Sequence, residues 1–401
     1  MKEEKLVRWP YVVRGFIIYL FVGLIYAWSI FVVPLEEAFG WVRSDTSSVF
    51  SIVLMFFSIG GLLGGFLRKK MSVKAVVRMA AIMMMAGFIA SSWVTELYQF
   101  FITYGVVCGT GVGICYTSVS GAVLKWFPDK LGTVNGTLFL GYGLAAMAMG
   151  WIINIMLGAL GWRVTFFVLG IVFGVVIIAA VHKLDIPDEN VILPEAKIKR
   201  KSTTVFPDKD YTSKEMMKRL TFWKISLWAT FLCSGGYAVL GCVSPAVSGL
   251  GASLATGALA AGLVSLSNGI SRIFWGTLYD RVGLRPAVVS VSFVFIVGCI
   301  LAMTGIYLEN IPLLVFAFMV GCFSFGGAPT CATTTINKMY GKKHYETNLS
   351  IYMIACIPSG FLGPGLSGIL VTATGSYFST YAVMFVVAVV ALITAFNIKQ
   401  P

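Results

Sequence analysis

Twelve long apolar runs, separated by short polar segments, are the feature of this 401-residue chain that most restricts its fold. An α-helix needs about 20 apolar residues to cross a bilayer. The runs approach or exceed that length, and they lack the alternating pattern of a membrane β-barrel. We therefore predict an all-α membrane protein with twelve spans. They are residues 12–33, 47–67, 75–95, 99–124, 132–157, 163–181, 222–247, 256–278, 287–306, 311–336, 348–371 and 379–396.

The basic residues are distributed unevenly between the two sides of the predicted bundle. If the N-terminus is cytoplasmic, 27 of the 30 Lys and Arg fall on the cytoplasmic side, and only Arg43 and Arg163 fall outside. This bias is typical of the positive-inside rule. It predicts a bacterial-type inner (plasma) membrane protein with both termini in the cytoplasm. The net charge of +13 then reflects topology and contact with membrane lipid, and not binding to nucleic acid.

Landmark residues recur at a nearly constant shift of 211–213 positions, which predicts two related six-helix halves. The pairs are Pro34 and Pro245, each expected to end a first helix; Gly64 and Gly276; Lys125 and Lys338; and Asn135 and Asn348. The predicted halves are residues 1–181 and 220–401, joined by a cytoplasmic linker over 182–219. Thr212 and Glu215 have the spacing of a capping box, which predicts a short helix before span 7.

One charged residue, Arg272, lies well inside a predicted span, and it points to function. A charge at the centre of a bilayer costs about 2.5–3.5 kcal/mol on insertion scales and usually faces a cavity or a partner. No Asp or Glu lies in another predicted span to pair with it. The simplest partner is an anionic substrate, although a structural arginine bonded to carbonyls is the alternative. Asn268 precedes Arg272 by four residues, so both share a helix face.

Short motifs resemble a known family. The loop after span 8 contains Gly276, Asp280, Arg281 and Gly283, in a spacing similar to the G-x-x-x-D-R-x-G signature of the major facilitator superfamily. The segments 26–29, 125–132 and 161–163 resemble the branch that holds the oxalate–formate antiporters and the monocarboxylate (lactate) transporters. In the matching loop after span 2, Arg68 replaces the signature Asp.

The resemblance implies an anion site that keeps one fixed cation and lacks the further charged residue found in each of the two related groups. The oxalate antiporters pair the arginine of span 8 with a lysine of span 11. Here that position holds Cys356, or Ala355 if the alignment shifts by one residue. The monocarboxylate transporters have an acid four residues before the arginine, where this chain has Asn268. One fixed cation suits one carboxylate, because a second carboxylate would be buried without a partner.

Aromatic residues complete the predicted site. In this superfamily helices 1, 4, 7 and 10 line the cavity, which implies roles for Tyr26, Tyr116 and Phe323. Packing is the alternative for each of them. With Arg272 and Asn268 they form our predicted substrate site.

These features predict a proton-linked transporter of small monocarboxylates, of the lactate or pyruvate type, that works by alternating access as a monomer without a cofactor or metal. No buried carboxylate or imidazole is available as a proton relay, so an organic-anion exchanger of the oxalate–formate type remains an alternative. A membrane protein that senses an anion without moving it is a third possibility. No metal-ligand set or nucleophile–base pair suggests an enzyme.

Overall fold

The computed structural model describes residues 8–128, 130–187, 191, 210–341 and 344–398, with all side chains in these ranges except those of 131–133 and 346. The described residues contain no β-strand, so the predicted all-α fold is confirmed. The long helices are Trp9–Phe39 (α1), Arg43–Leu67 (α2), Val73–Ser91 (α3), Leu97–Lys125 (α4), Leu131–Val181 (α5 and α6), Leu220–Ser248 (α7), Leu254–Val282 (α8), Leu284–Tyr307 (α9), Ile311–Tyr340 (α10), Thr347–Thr374 (α11) and Tyr377–Phe396 (α12).

The longest helical segment is two spans joined at a glycine. Val134–Val181 covers 48 residues and is strongly apolar on average; at about 1.5 Å per residue it is more than twice as long as a bilayer core is thick. Gly161 interrupts it with φ 75° and ψ 170°, a conformation that residues with a side chain rarely adopt. α5 ends there and α6 begins. Together with the other ten long helices, this makes the twelve predicted spans.

Two prolines lie inside helices and do not end them, so this part of the sequence prediction is wrong. Pro34 lies within α1, which continues to Phe39 and ends at Gly40 in the left-handed conformation. Pro245 likewise lies within α7, which continues to Ser248. Proline removes one backbone hydrogen bond, but neighbouring helices and local adjustments allow a spanning helix to tolerate this loss.

α11 is the most irregular spanning helix of the described chain. Its first α-helical segment, Tyr345–Ala355, begins two residues before the span as defined above. Pro358–Gly360 and Leu366–Thr374 are also α-helical, and a π-helical turn covers Phe361–Gly365. Pro358 and Pro364 lack the amide hydrogen that a regular ladder needs, so the helix changes its winding between them.

Small residues bring helices from the two halves into close contact. On the line between α5 and α8, a Cβ added to Gly143 would lie 2.6 Å from the Gly269 Cα. Ser265 also donates a hydrogen bond to the Gly143 carbonyl. On the line between α2 and α11, a Cβ added to Gly368 would lie 2.6 Å from the Ser47 Cβ. Such approach is typical of packed membrane helices, and here it joins α1–α6 to α7–α12.

The described chain ends lie at the same end of the bundle, which we call the termini end. Arg8 donates to the Trp126 carbonyl over 2.8 Å, just after α4, and Lys224 donates to the Asn397 carbonyl over 3.1 Å, just after α12. We call the opposite end, which contains Arg43, the far end. An even number of spans between the two chain ends accounts for this arrangement.

The predicted capping box is confirmed. The Glu215 backbone N–H donates to the Thr212 hydroxyl and the Glu215 carboxylate accepts from the Thr212 N–H, at the start of a short helix over Ser213–Met217. Most of the predicted linker lies outside the described residues.

Candidate functional site

A cavity of about 630 Å³ lies between the two halves. Its inner part is lined by Tyr26, Arg272 and Phe325, each near the middle of its helix. Its outer part is lined by Lys125 and Lys338, which lie in the last turns of α4 and α10. The cavity therefore runs from the middle of the bundle to the termini end.

The far end is closed by contacts between the two halves. Arg43 forms a bidentate ion pair with Glu36, with N–O distances of 2.6 and 2.7 Å, and also hydrogen-bonds the Tyr377 hydroxyl. The Ser44 amide donates to the Thr372 hydroxyl over 3.1 Å. These bonds join the start of α2 to the end of α11 and the start of α12. The structure is consequently open toward the termini end only.

Arg272 is buried but lines the cavity. The residue is 6% exposed, and its guanidinium carbon lies 4.7 Å from the centre of the Phe139 ring. Its Nε has no hydrogen-bond partner among the described residues. The Tyr116 hydroxyl lies close enough to interact with the guanidinium. A structural arginine would donate to backbone carbonyls, and Arg272 donates to none in the described chain.

The charge of Arg272 has no acidic neighbour in the cavity wall. Among the described residues that line the cavity there is no Asp, Glu or His. A buried cation without an anion is poorly stabilised, because its loss of hydration is not repaid by a partner. The guanidinium can therefore accept a planar anion, for which its fork of donors is well suited.

Aromatic rings form the wall around the guanidinium. Tyr116 of α4 stacks on Phe139 of α5, with ring centres 5.7 Å apart and planes at 21°. Tyr26 of α1 meets Tyr142 edge-on at 4.9 Å and lies 6.4 Å from Tyr237 of α7. The predicted Tyr26 and Tyr116 are thus brought to Arg272, and the wall combines apolar faces with hydroxyl groups.

Asn268 is not brought to the cavity. Its side chain is fully buried and packs against α10, where a Cβ on Gly326 would lie 3.1 Å from the Asn268 Oδ1. Neither Oδ1 nor Nδ2 has a hydrogen-bond partner among the described residues. Four residues turn a helix by about 400°, so Asn268 is offset from Arg272 by about 40°. The short Asn268 amide stays in the interface between α8 and α10. The longer Arg272 side chain extends past this interface and reaches the cavity.

Phe323 also points away from the cavity. Its ring packs on Phe274 and Trp275, with centres 5.2 and 5.7 Å apart, and its carbonyl accepts from the Trp275 indole over 2.7 Å. The cavity is lined by Phe325 instead. Two residues rotate a helix by about 200°, so these two phenylalanines lie on opposite faces.

The sequence prediction missed the contribution of α5. Asn135, Phe139 and Tyr142 all line the cavity, although the resemblance implied only helices 1, 4, 7 and 10. Their spacing of four and three residues is that of one helix face. A polar and aromatic stripe on an otherwise aliphatic span was the signal that could have identified them.

Cys356 lies in the cavity wall, at the position where the resemblance implies a lysine in the antiporters. It is the only one of the eight cysteines that is not fully buried, all eight being described. Cys233 and Tyr237 of α7 line the same cavity as Cys356 and Arg272. The thiol therefore faces the same space as the guanidinium without supplying a charge.

Twelve spanning helices around a central cavity that opens at one end define a membrane transporter, not an enzyme. A sequence model of the Major Facilitator Superfamily matches residues 15–357, with a second match over 229–401, so the chain belongs to this superfamily.

Relatives and solved structures agree with this assignment. The chain is 25% identical to the oxalate:formate antiporter of Oxalobacter formigenes, over 92% of this chain and 86% of the relative. It is 24% identical to monocarboxylate transporter 12 of Homo sapiens, over 88% and 72%. Its fold is similar to that of a D-xylose-proton symporter, with a TM-score of 0.76, 16% identity and 98% of each chain covered.

Proposed function

We propose that this protein transports small monocarboxylates, of the lactate or pyruvate type, and that Arg272 binds the carboxylate. One observation carries the proposal: a buried guanidinium faces a cavity and has no acidic partner in the described cavity wall. A carboxylate would satisfy its charge and its donors together. Tyr116 and Tyr26 lie beside it, where their hydroxyls suit a 2-hydroxy or 2-keto group.

The charge of the described inner wall favours one carboxylate over two. Arg272 is the only cation in this inner wall. The other basic residues that line the cavity lie at the outer end: Arg68 directly follows α2, and Lys125 and Lys338 lie in the last turns of α4 and α10. Lys338 also pairs with Asp280 at 2.8 Å. A dicarboxylate would leave its second charge without a cation among aromatic rings. Selectivity for monocarboxylates follows from this count.

The two halves, 1–181 and 220–401, are proposed to rock about the substrate in an alternating-access cycle. Close packing along α5 and α8 supports a pivot between them, and the closed far end supports a state open to one side. From the 27-to-2 distribution of basic residues we infer that the termini end is cytoplasmic, in a plasma membrane of the bacterial type. We propose that each monomer forms a complete pathway.

Coupling to protons is proposed to occur through the substrate. The described cavity wall contains no carboxylate or imidazole to relay a proton. A proton that enters with the carboxylate would neutralise the anion and allow its release from Arg272. The same absence favours a second candidate function, exchange of one organic anion for another, which is also the activity printed in the name of the antiporter relative.

Uptake into proteoliposomes tests the function. Purified protein would be reconstituted and supplied with labelled lactate, pyruvate, formate or oxalate, with and without an inward proton gradient. Lactate uptake that rises with the gradient supports symport, and uptake that requires an internal anion supports exchange. Arg272→Gln should abolish either activity. Arg163→Gln is the matched control, since Arg163 is exposed and donates to the Ser92 carbonyl away from the cavity.

If no labelled acid enters but lactate still protects the protein against thermal unfolding, the protein binds the anion without moving it. That result would overturn the transport proposal.

A further inference from the structure

The contact between Arg272 and Phe139 crosses the boundary between the two halves. Arg272 belongs to α8, in the second half, and Phe139 belongs to α5, in the first. The guanidinium carbon lies 4.7 Å from the ring centre, within the range of a cation–π interaction. Arg272, the residue proposed to bind substrate, is thus also in cation–π contact with the opposite half.

The Phe139 ring is held firmly within its own half. It stacks on Tyr116, which stacks in turn on Tyr19 with centres 5.2 Å apart and planes at 27°. Tyr19 is fully buried, and its hydroxyl donates to the Tyr116 carbonyl over 2.8 Å. Three rings from α1, α4 and α5 therefore form one stack. This stack ties Phe139 to two other helices of the first half.

The strength of the contact depends on the charge of the guanidinium. A cation is attracted to the face of an aromatic ring by the quadrupole of the ring, and the attraction is stronger where water is excluded. A carboxylate bound to the guanidinium would form a neutral pair and remove most of that attraction. The Arg272 Nε has no hydrogen-bond partner among the described residues, and the Tyr116 hydroxyl that interacts with the guanidinium belongs to the same aromatic stack as Phe139.

We propose that the Arg272–Phe139 contact is a latch that holds the empty carrier in the state seen here and that a bound carboxylate releases. This inference rests on the proposed function of Arg272 and adds a coupling between occupancy and movement. The empty protein keeps its halves joined at the centre of the cavity, and the loaded protein does not. Phe139 is a positioning residue in this scheme, because it acts through Arg272.

The latch makes a prediction about affinity that a simple orienting role does not. If Phe139 only orients the guanidinium, Phe139→Leu weakens lactate binding. If the contact competes with substrate, the same change strengthens it, by about fivefold for a contact of ordinary strength. Lactate affinity of purified Phe139→Leu, measured by calorimetry, separates the two. Phe139→Met offers a second side chain of similar size without a ring. Phe139→Tyr keeps the ring face, so its lactate affinity should change less than that of the Leu and Met variants.

Transport kinetics supply an independent readout. Exchange moves a loaded carrier in both directions, whereas net uptake requires the empty carrier to return. In the parent, the rate of lactate exchange should exceed the rate of net lactate uptake. Phe139→Leu should lower the ratio of the exchange rate to the net uptake rate by about fivefold. Weaker lactate binding by the Leu and Met variants, or an unchanged ratio of exchange to net uptake, would overturn the latch. Normal lactate binding by Arg272→Gln would instead overturn the proposed function.

Discussion

Replacing Arg272 by Gln should stabilise the empty protein while removing its response to lactate. Arg272 as a whole residue is 6% exposed, and its Nε has no hydrogen-bond partner among the described residues. An arginine at the centre of a span costs about 2.5–3.5 kcal/mol on insertion scales, and the cavity restores part of its hydration. We therefore expect the Gln variant to gain about 1–2 kcal/mol in free energy of unfolding without ligand.

Binding should change in the opposite direction and by more. Removing one partner of a buried ion pair typically costs about 3–5 kcal/mol, so lactate affinity should fall by about two to three and a half orders of magnitude. Arg272→Lys keeps the charge but loses the planar fork, and about a tenfold loss is expected. The two variants thereby separate the contribution of charge from that of geometry.

Thermal unfolding in detergent, with and without lactate, measures both effects in one experiment. The parent should show a transition that rises with lactate concentration. Arg272→Gln should unfold at a higher temperature than the empty parent and show no response. If the variant unfolds earlier than the parent and still takes up lactate normally, Arg272 stabilises the fold, and our reasoning about its buried charge is refuted.

Three further predictions concern selectivity, topology and packing. Cys356→Lys should add a second cation to the inner cavity and improve oxalate binding relative to lactate; equal oxalate and lactate affinities in the unmodified protein would contradict the charge count. Ser202→Cys, in a variant stripped of native cysteines, should react with a membrane-impermeant thiol reagent only after cells are permeabilised, and labelling of intact cells would reverse the topology. Gly143→Ala should lower the free energy of unfolding by about 1–3 kcal/mol and slow transport, because the added Cβ would lie 2.6 Å from the Gly269 Cα. Its control is Gly158→Ala, where a Cβ would meet nothing within 4 Å, and equal effects of the two changes would exclude the close contact as the cause.

The cavity-lining aromatic residues show how far a sequence pattern can be extended. Tyr26 and Tyr116 belong to helices that the resemblance places around the cavity, and both residues line it. Phe323 also belongs to such a helix, but it lies on the opposite face of α10 from Phe325, which lines the cavity. Membership of a helix therefore did not specify the rotation of that helix. On a span that is apolar all round, the hydrophobic pattern contains no signal that distinguishes the cavity face from the lipid face.

Asn268 and Phe139 also show that local sequence patterns do not specify contacts between helices. The spacing of Asn268 and Arg272 is real, but only the longer side chain reaches the cavity, because α10 approaches α8 closely at Gly326. Phe139 contacts Arg272 from a helix 133 positions away in the chain, and no local pattern links the two residues.

By itself the sequence determined the twelve spans, the two halves, the sidedness of charge and the isolation of Arg272. The spans and the isolation of Arg272 follow from the free energy of placing a residue in hydrocarbon, which depends on residue type and local position. The halves follow from the repeat of landmark residues, and the charge distribution follows from the positive-inside rule. Tertiary structure alone decided which face of each helix meets the cavity, that Cys356 faces it, that Asn268 does not, and that Phe139 lies over the guanidinium. These contacts depend on how helices from distant parts of the chain rotate and approach one another, and small residues such as Gly143 control that approach.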